Sequence, residues 1–340
     1  MDIEELTGSA DRDETGRRAH PAVSLIEQAM MGYGTLDGKE LGRPVSPDFL
    51  RAQARSAYEA YQATRYDAAG RILPGLIRGV ETAARTAGSA SPAACAVRAR
   101  VYDTTAALLS RVGEPFLAWA AADRAIFAAE QSGDPLLAAA SAWRLSYMIT
   151  GRMHPQEARD LAMAAAAALG RTMRASSPEQ LSVYGALHLA AATAAAASFD
   201  GAATQSLLAT ARGIADRTGE ANHMGTAFGP VNVAIHAISA SLKLGDPRTA
   251  TETGEALDIA AMPAGLVGRR TQVNLDLARA YAMTRKDAAA VNLLLAAERL
   301  SPQLVRYDPA TRDVLTKLLR REHRPSTPEL RPLARRVGVI

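Results

Sequence analysis

A short polar turn recurs along this 340-residue chain at intervals far too long for a β-hairpin. It reads Arg65-Tyr66-Asp67, Gly113-Glu114-Pro115, His154-Pro155, Phe199-Asp200-Gly201, Gly245-Asp246-Pro247 and Lys286-Asp287. With Asp67, Glu114, His154, Asp200, Asp246 and Asp287 as markers, the spacings are 47, 40, 46, 46 and 41. A near-regular period of this size marks stacked supersecondary units, because one unit alone cannot bury its apolar flank.

The turn chemistry says what the units are. Gly113 and Gly245 supply the left-handed conformation that ends a helix. The acid that follows is placed to accept hydrogen bonds from free N–H groups at the next helix start, where the macrodipole also favours it. Pro115, Pro155 and Pro247 suit the first turn of that new helix. Each turn precedes a small residue that reads as a packing position: Ala69, Ala118, Ala158, Ala203, Ala250 and Ala289. Upstream, apolar residues recur at helical spacing, as in Val97, Val101, Thr105, Leu108 and Val112. Separate breakers divide the units, at 88–92, 133–135, 176–178, 219–230 and 263–265. The expected helix pairs are 48–87, 92–132, 135–170, 178–218, 228–261 and 264–300, with a capping helix near 309–322.

Composition agrees. Hydrophobic residues make up 48% of the chain but aromatic ones only 5%. Alanine, the strongest helix former, supplies much of the apolar share, and the residues that sheets favour are sparse. The expected fold is all-α: a right-handed superhelix, or α-solenoid, of about six antiparallel pairs resembling tetratricopeptide units. Residues 1–47 read as a short helix near 21–31 with a Gly/Pro linker, 48–322 as the repeat domain and 323–340 as a solvated basic tail.

Charge excludes some classes. The net charge is +4, yet residues 1–20 carry −3 and residues 301–340 carry +5. The body has no concentrated basic stripe of the kind a nucleic-acid face shows. The acidic start, Met1-Asp2-Ile3-Glu4-Glu5, is unlike a secretory signal, and no apolar run reaches the roughly 20 residues that span a bilayer. A cytoplasmic protein without a membrane association is expected. The single cysteine, Cys95, reads as a small core residue. Trp119 and Trp143 read as a core wedge more often than as a ligand platform.

Several stretches resemble a known family. They are Gly113-Glu114-Pro115-Phe116-Leu117-Ala118-Trp119-Ala120-Ala121-Ala122-Asp123-Arg124-Ala125, then Ser132-Gly133-Asp134-Pro135-Leu136-Leu137-Ala138-Ala139-Ala140, and Asn222-His223-Met224-Gly225-Thr226-Ala227-Phe228-Gly229-Pro230-Val231-Asn232-Val233-Ala234-Ile235-His236. They are similar to the C-terminal sensor region of high-GC bacterial regulators that join a helix-turn-helix domain of the xenobiotic-response-element type to tetratricopeptide-like repeats. The likeness spans roughly residues 20–322. It implies a ligand-sensing role in transcription. Residues 1–20 have no room for a helix-turn-helix, so DNA would be reached only through a domain that these residues do not contain.

No enzyme is expected. The phosphate-binding GxxxxGK[ST] loop, the HExxH zinc pair and the GxSxG nucleophile elbow do not occur, and no cofactor or metal is anticipated. The binding candidates come from position. Gly229-Pro230 starts a helix, which puts Asn232 and His236 one turn apart on one face. Those two could hydrogen-bond a peptide backbone, or satisfy the long loop before them, and His223 and Phe228 belong to the same segment. Arg144, Tyr147, Tyr184, His188, Asn274 and Tyr281 lie on first helices, which line the inner wall of such arrays. The expected occupant of the groove is a peptide or small molecule. The alternative is an adaptor for protein partners, and a homodimer is a further option.

Overall fold

The computed structural model describes residues 19–32, 45–86, 91–173 and 177–340. Among them are sixteen α-helices and no strand. After α1 (Ala22–Met30) come six antiparallel pairs: α2 (Pro47–Gln62) with α3 (Tyr66–Thr86), α4 (Pro92–Arg111) with α5 (Pro115–Gln131), α6 (Pro135–Gly151) with α7 (Pro155–Thr172), α8 (Pro178–Ala197) with α9 (Gly201–Thr218), α10 (Pro230–Lys243) with α11 (Pro247–Glu255), and α12 (Val267–Met283) with α13 (Asp287–Leu300). The chain ends with α14 (Pro302–Tyr307), α15 (Pro309–Leu319) and α16 (Leu330–Val337). Each first helix packs on the next first helix, and each second helix on the following first helix, which is the stacking rule of an α-solenoid. No described helix is long and apolar enough to cross a membrane.

All six intra-pair turns share one backbone geometry. The residues Thr64, Gly113, Met153, Phe199, Gly245 and Arg285 each have positive φ, between 56° and 82°. The next residue then donates its N–H to the carbonyl five positions back: Arg65 to Ala60, Glu114 to Leu109, His154 to Ile149, Asp200 to Ala195, Asp246 to Ser241 and Lys286 to Tyr281. This is the Schellman closure of a helix end. Only two of the six positions use glycine; the other four hold an ordinary residue where a left-handed conformation is strained.

The same register corrects two expected packing positions. The fully buried residue lies four places after the donor in every repeat, at Ala69, Ala118, Ala158, Thr204, Ala250 and Ala290. Ala203 and Ala289 lie only three places after the donors Asp200 and Lys286 and therefore sit one step off the buried stripe. Caps vary too: Asp200 and Asp246 accept from Ala203 and Thr249 N–H groups at 3.0 Å each, whereas the Glu114 side chain makes no such cap bond.

The stack curls until its two ends meet. One apolar cluster includes Ala22, Leu73 and Val101 from the first repeats together with Leu275, Leu304, Leu315 and Val337 from the last helices. Polar contacts join the ends as well. Gln303 bonds Asp67, Arg111 bonds Gln272 at 3.2 Å, and the His20 and Tyr307 rings meet edge-on at 4.8 Å. Gly268 on α12 lies so close to the first turn that an added Cβ would come within 3.3 Å of Thr64.

The expected solvated tail is corrected. Within residues 323–340, α16 buries Leu330, Leu333, Ala334 and Val337. Two of its three arginines are paired, Arg331 with Glu322 and Arg336 with Glu298, both at 2.7 Å. Counting charge concealed an amphipathic helix whose apolar face completes the core. Residues 1–18 and 33–44, which carry most of the acidic start and the linker, lie outside the described residues.

Candidate functional site

First helices deliver side chains inward at spacings of three and four. On α2 the stripe is Arg51, Arg55, Tyr58 and Gln62, beside the buried face of Leu50, Ala54, Ala57 and Ala60. On α4 it runs Arg100, Asp103, Ala107 and Ser110 to Arg111, and on α6 it runs Leu137, Ala140, Arg144 and Tyr147. These positions fall on one face of each helix, so successive repeats build one wall.

Because the ends of the stack meet, that wall lines a half-open chamber of two adjoining lobes. The smaller, of about 270 Å³, is lined by α2, α4 and α6, by Gly225 and Ala227 of the loop before α10, and by Leu266, Gly268 and Arg269 at the start of α12. The larger, of about 510 Å³, is more apolar and lies among Val97, Leu137 and Ala140, with Arg51, Arg55, Arg100 and Asp103. Tyr58, Trp143, Arg144 and Gly225 face both lobes. Volumes of this order match ordinary small-molecule sites.

The smaller lobe is aromatic and cationic. Tyr61 sits 6.1 Å from the rings of both Tyr58 and Tyr66. Burial alone would raise the Tyr61 hydroxyl, but the guanidinium groups of Arg111, Arg144 and Arg269 outweigh it and lower its pKa. Arg269 is lowered in turn, first by burial and then by the other two arginines. Arg144 lies over the Trp143 ring at 4.5 Å, and its Nε is buried with no hydrogen-bond partner. In the larger lobe, burial pushes the Asp103 carboxyl up to about 6, against Arg144, the Ser141 hydroxyl and Arg100. Ser141 donates to one Asp103 oxygen at 2.8 Å, and the other oxygen is buried without a partner.

The sequence-derived candidates are divided by the fold. Arg144 and Tyr147 line the chamber. His236 stands behind Tyr147, with its Nε2 3.4 Å from the Tyr147 hydroxyl and its Nδ1 3.3 Å from Thr193 Oγ1. Burial, and then Arg269 and Lys243, hold its pKa well below the ordinary imidazole value. Asn232 is buried on the same helix, and its Oδ1 has no partner. Neither residue satisfies the preceding loop. Asn222 and Glu220 do so, accepting from the N–H groups of Ala227 and Val231 at 3.1 and 2.6 Å.

Six others lie away from both lobes. Phe228 is a core residue, fully buried, and its ring occupies the place where a Cβ on Gly185 would stand. His223 faces Glu179 at 3.5 Å, and His188 is buried with its Nδ1 2.8 Å from the Tyr184 carbonyl oxygen. Tyr184 packs against the His188 ring at 4.6 Å. Tyr281 pairs with Glu255 and lies under Lys286. Asn274 is partly buried on α12 and lines neither lobe. The two tryptophans separate: Trp143 is buried at the chamber, whereas Trp119 is 38% exposed beside Arg152.

Sequence reasoning missed Tyr58, Tyr61, Tyr66, Arg111 and Arg269. The polar stripe of α2 was visible as a spacing. Arg269 had no local signal, because it reaches the lobe only through closure of the stack. Among the described residues, no group of three His, Cys, Asp or Glu is placed to hold a metal ion.

No family model and no curated protein matches the sequence. Among solved structures 18 chains match. One is a crystal structure of Rap protein complexed with competence and sporulation factor; it is 11% identical, with a TM-score of 0.51 over 86% of this chain and 88% of that one. At that identity the similarity is one of fold.

Proposed function

We propose that this chain is a ligand-sensing repeat domain that takes a peptide or small molecule into the chamber lined by its first helices. The observation that carries the reading is Arg144: it faces both lobes, its Nε is buried and unpartnered, and it has no carboxylate within 4 Å among the described residues. A guanidinium held this way is costly unless something else meets it. The solved neighbour, a Rap protein complexed with competence and sporulation factor, supports a binding role for this fold.

The sequence resemblance supports a place in transcriptional regulation, in the cytoplasm, with DNA contacted by an attached or partner helix-turn-helix domain. A ligand touching α2, α4, α6 and α12 together would favour one pitch of the stack over another. The shift is limited by its differential affinity for the two states. The reading is of a binding module rather than a catalyst.

Thermal melting against a peptide library tests it. A ligand at 100 times its Kd should stabilise the fold by about 2.7 kcal/mol. Arg144→Gln should cost more than tenfold in affinity, and Asn232→Ala and His236→Ala report whether the helix behind Tyr147 contributes. Unchanged affinity in Arg144→Gln would remove the site from the chamber. A second reading, an adaptor for protein partners, is favoured by the exposed Phe116 and Met153, at 69% and 84%, near Trp119. Recovery of one stoichiometric partner that Phe116→Ser releases would favour it.

A further inference from the structure

We propose that the smaller lobe is an oxyanion site, holding a carboxylate or phosphate of the ligand between Arg111, Arg144 and Arg269 with the Tyr61 hydroxyl beside it. The proposal rests on reading the chamber as the ligand site and adds the chemistry that anchors the ligand there.

Three guanidinium groups reach this lobe from α4, α6 and α12, elements far apart in sequence. They face one another around the same phenol, and Tyr61 responds to all three. Like charges brought together in a half-buried place repel, and in a stack free to open they would separate. Several arginines elsewhere in the molecule are matched, Arg98 with Glu81, Arg321 with Asp287 and Arg336 with Glu298. In the lobe the matching is looser, with Asp103 acting on Arg144 and Asp308 on Arg111 without an ion-pair contact. Among the described residues neither Arg144 nor Arg269 has a carboxylate within 4 Å, and the one side-chain amide bonded to Arg111 is that of Gln272.

The geometry also suits recognition. Arg144 lies over Trp143, which fixes the plane of its fork, and a planar fork pairs best with carboxylate or phosphate. Tyr58, Tyr61 and Tyr66 form an aromatic wall on which the body attached to the anion can lie. The larger lobe continues past Arg144 as the more apolar space for the rest of the ligand.

The test uses three matched probes on the full chain: phenylacetate, phenyl phosphate and the neutral phenylacetamide, titrated by ligand-observed NMR and by thermal melting. Both anions should bind saturably, and phenylacetamide at least tenfold more weakly. Their ratio tells a carboxylate ligand from a phosphate one. Arg144→Gln and Arg269→Gln should each weaken anion binding tenfold or more, whereas Arg248→Gln, on the exposed face of α11, should not change it. Without probe, Arg269→Gln should melt at or above the wild-type temperature, since it relieves repulsion. If the arginines serve only the fold, that substitution lowers the melting temperature and leaves anion binding intact. Should Arg269→Gln fail to fold, Arg269→Lys supplies the same comparison. Equal binding of phenylacetamide, lost in Arg144→Gln, overturns the oxyanion site and leaves the chamber reading standing. Anion binding unaffected by both glutamine variants overturns both. Absence of saturable anion binding overturns the oxyanion site, and the peptide-library melt then judges the chamber separately.

Discussion

The Tyr58 hydroxyl donates a 2.6 Å hydrogen bond to the carbonyl oxygen of Gly225, across 167 positions of sequence. One turn further along α2, the Gln62 amide exchanges two bonds with Asn222, at 2.9 and 3.3 Å. The first repeat thus clasps the loop that precedes the fifth, and both Tyr58 and Gly225 line both lobes of the chamber. An open superhelix presents a groove. This clasp covers part of that groove and leaves the two lobes half open.

Gly225 makes the clasp possible. Its φ is +72°, and a Cβ there would stand 2.1 Å from the Tyr58 hydroxyl. Gly225→Ala must pay the left-handed penalty and break the bond, together about 2–3 kcal/mol. Tyr58→Phe loses the bond alone, about 1 kcal/mol. Urea unfolding measures both, and a Gly225→Ala loss below that of Tyr58→Phe would show that the clasp is slack.

Asp103 gives stability an unusual pH slope. Its carboxyl titrates at about 6 in the folded chain, above the ordinary 3.8, because burial opposes its ionisation. Between those values the folded state keeps a proton that the unfolded state has released, so stability falls as pH rises from about 4 to 6 and stays lowered above. Asp103→Asn should therefore be more stable than wild type at pH 7.5, by about 1–3 kcal/mol, and indistinguishable from it near pH 4. A constant difference at both pH values would contradict the assignment.

His236 acts in the opposite direction. Its folded pKa lies well below the ordinary 6.5, through burial and then Arg269 and Lys243. Below pH 6.5 the unfolded chain takes a proton that the folded imidazole refuses, so stability is lost as pH falls. His236→Gln should remove about 1.4 kcal/mol of that loss per pH unit between 6 and 5. Chemical denaturation of both proteins at those two values measures it; parallel losses would place the acid sensitivity elsewhere.

What the sequence made legible follows the physics of each signal. The six turns could be read because a helix stop needs local chemistry: Gly113 and Gly245 for the left-handed residue, Pro115 and Pro247 for the restart. The register inside each unit could be read only to within a residue, since Thr204 and Ala290 differ from Ala203 and Ala289 by geometry that composition does not encode. Arg144 and Tyr147 were within reach because they repeat at helical spacing on an inner wall. Phe228 was misread because a conspicuous motif drew attention to its neighbours, while the reason for its place is the missing side chain of Gly185, 43 positions away. Arg269 had no signal at all: it meets Tyr61 through closure of the whole stack, a non-local event that no window of the chain records. Arg111 comes instead from the neighbouring first helix, at the end of the same inward stripe as Asp103 and Ala107.

The C-terminal helix offers the sharpest contrast between charge and packing. Leu333 is fully buried in the cluster that also holds Leu304, Leu315 and Val337, while Arg336 makes an exposed pair with Glu298. Truncating a buried leucine removes its transfer free energy and leaves a cavity, so Leu333→Ala should cost about 2–5 kcal/mol. Arg336→Gln breaks a surface pair and should stay within about 1 kcal/mol of wild type. A frayed basic tail predicts the reverse emphasis: no cost for the leucine and a salt-dependent effect for the arginine. Urea midpoints of the two variants at low and high salt decide between them, because packing is insensitive to ionic strength and an exposed charge pair is not.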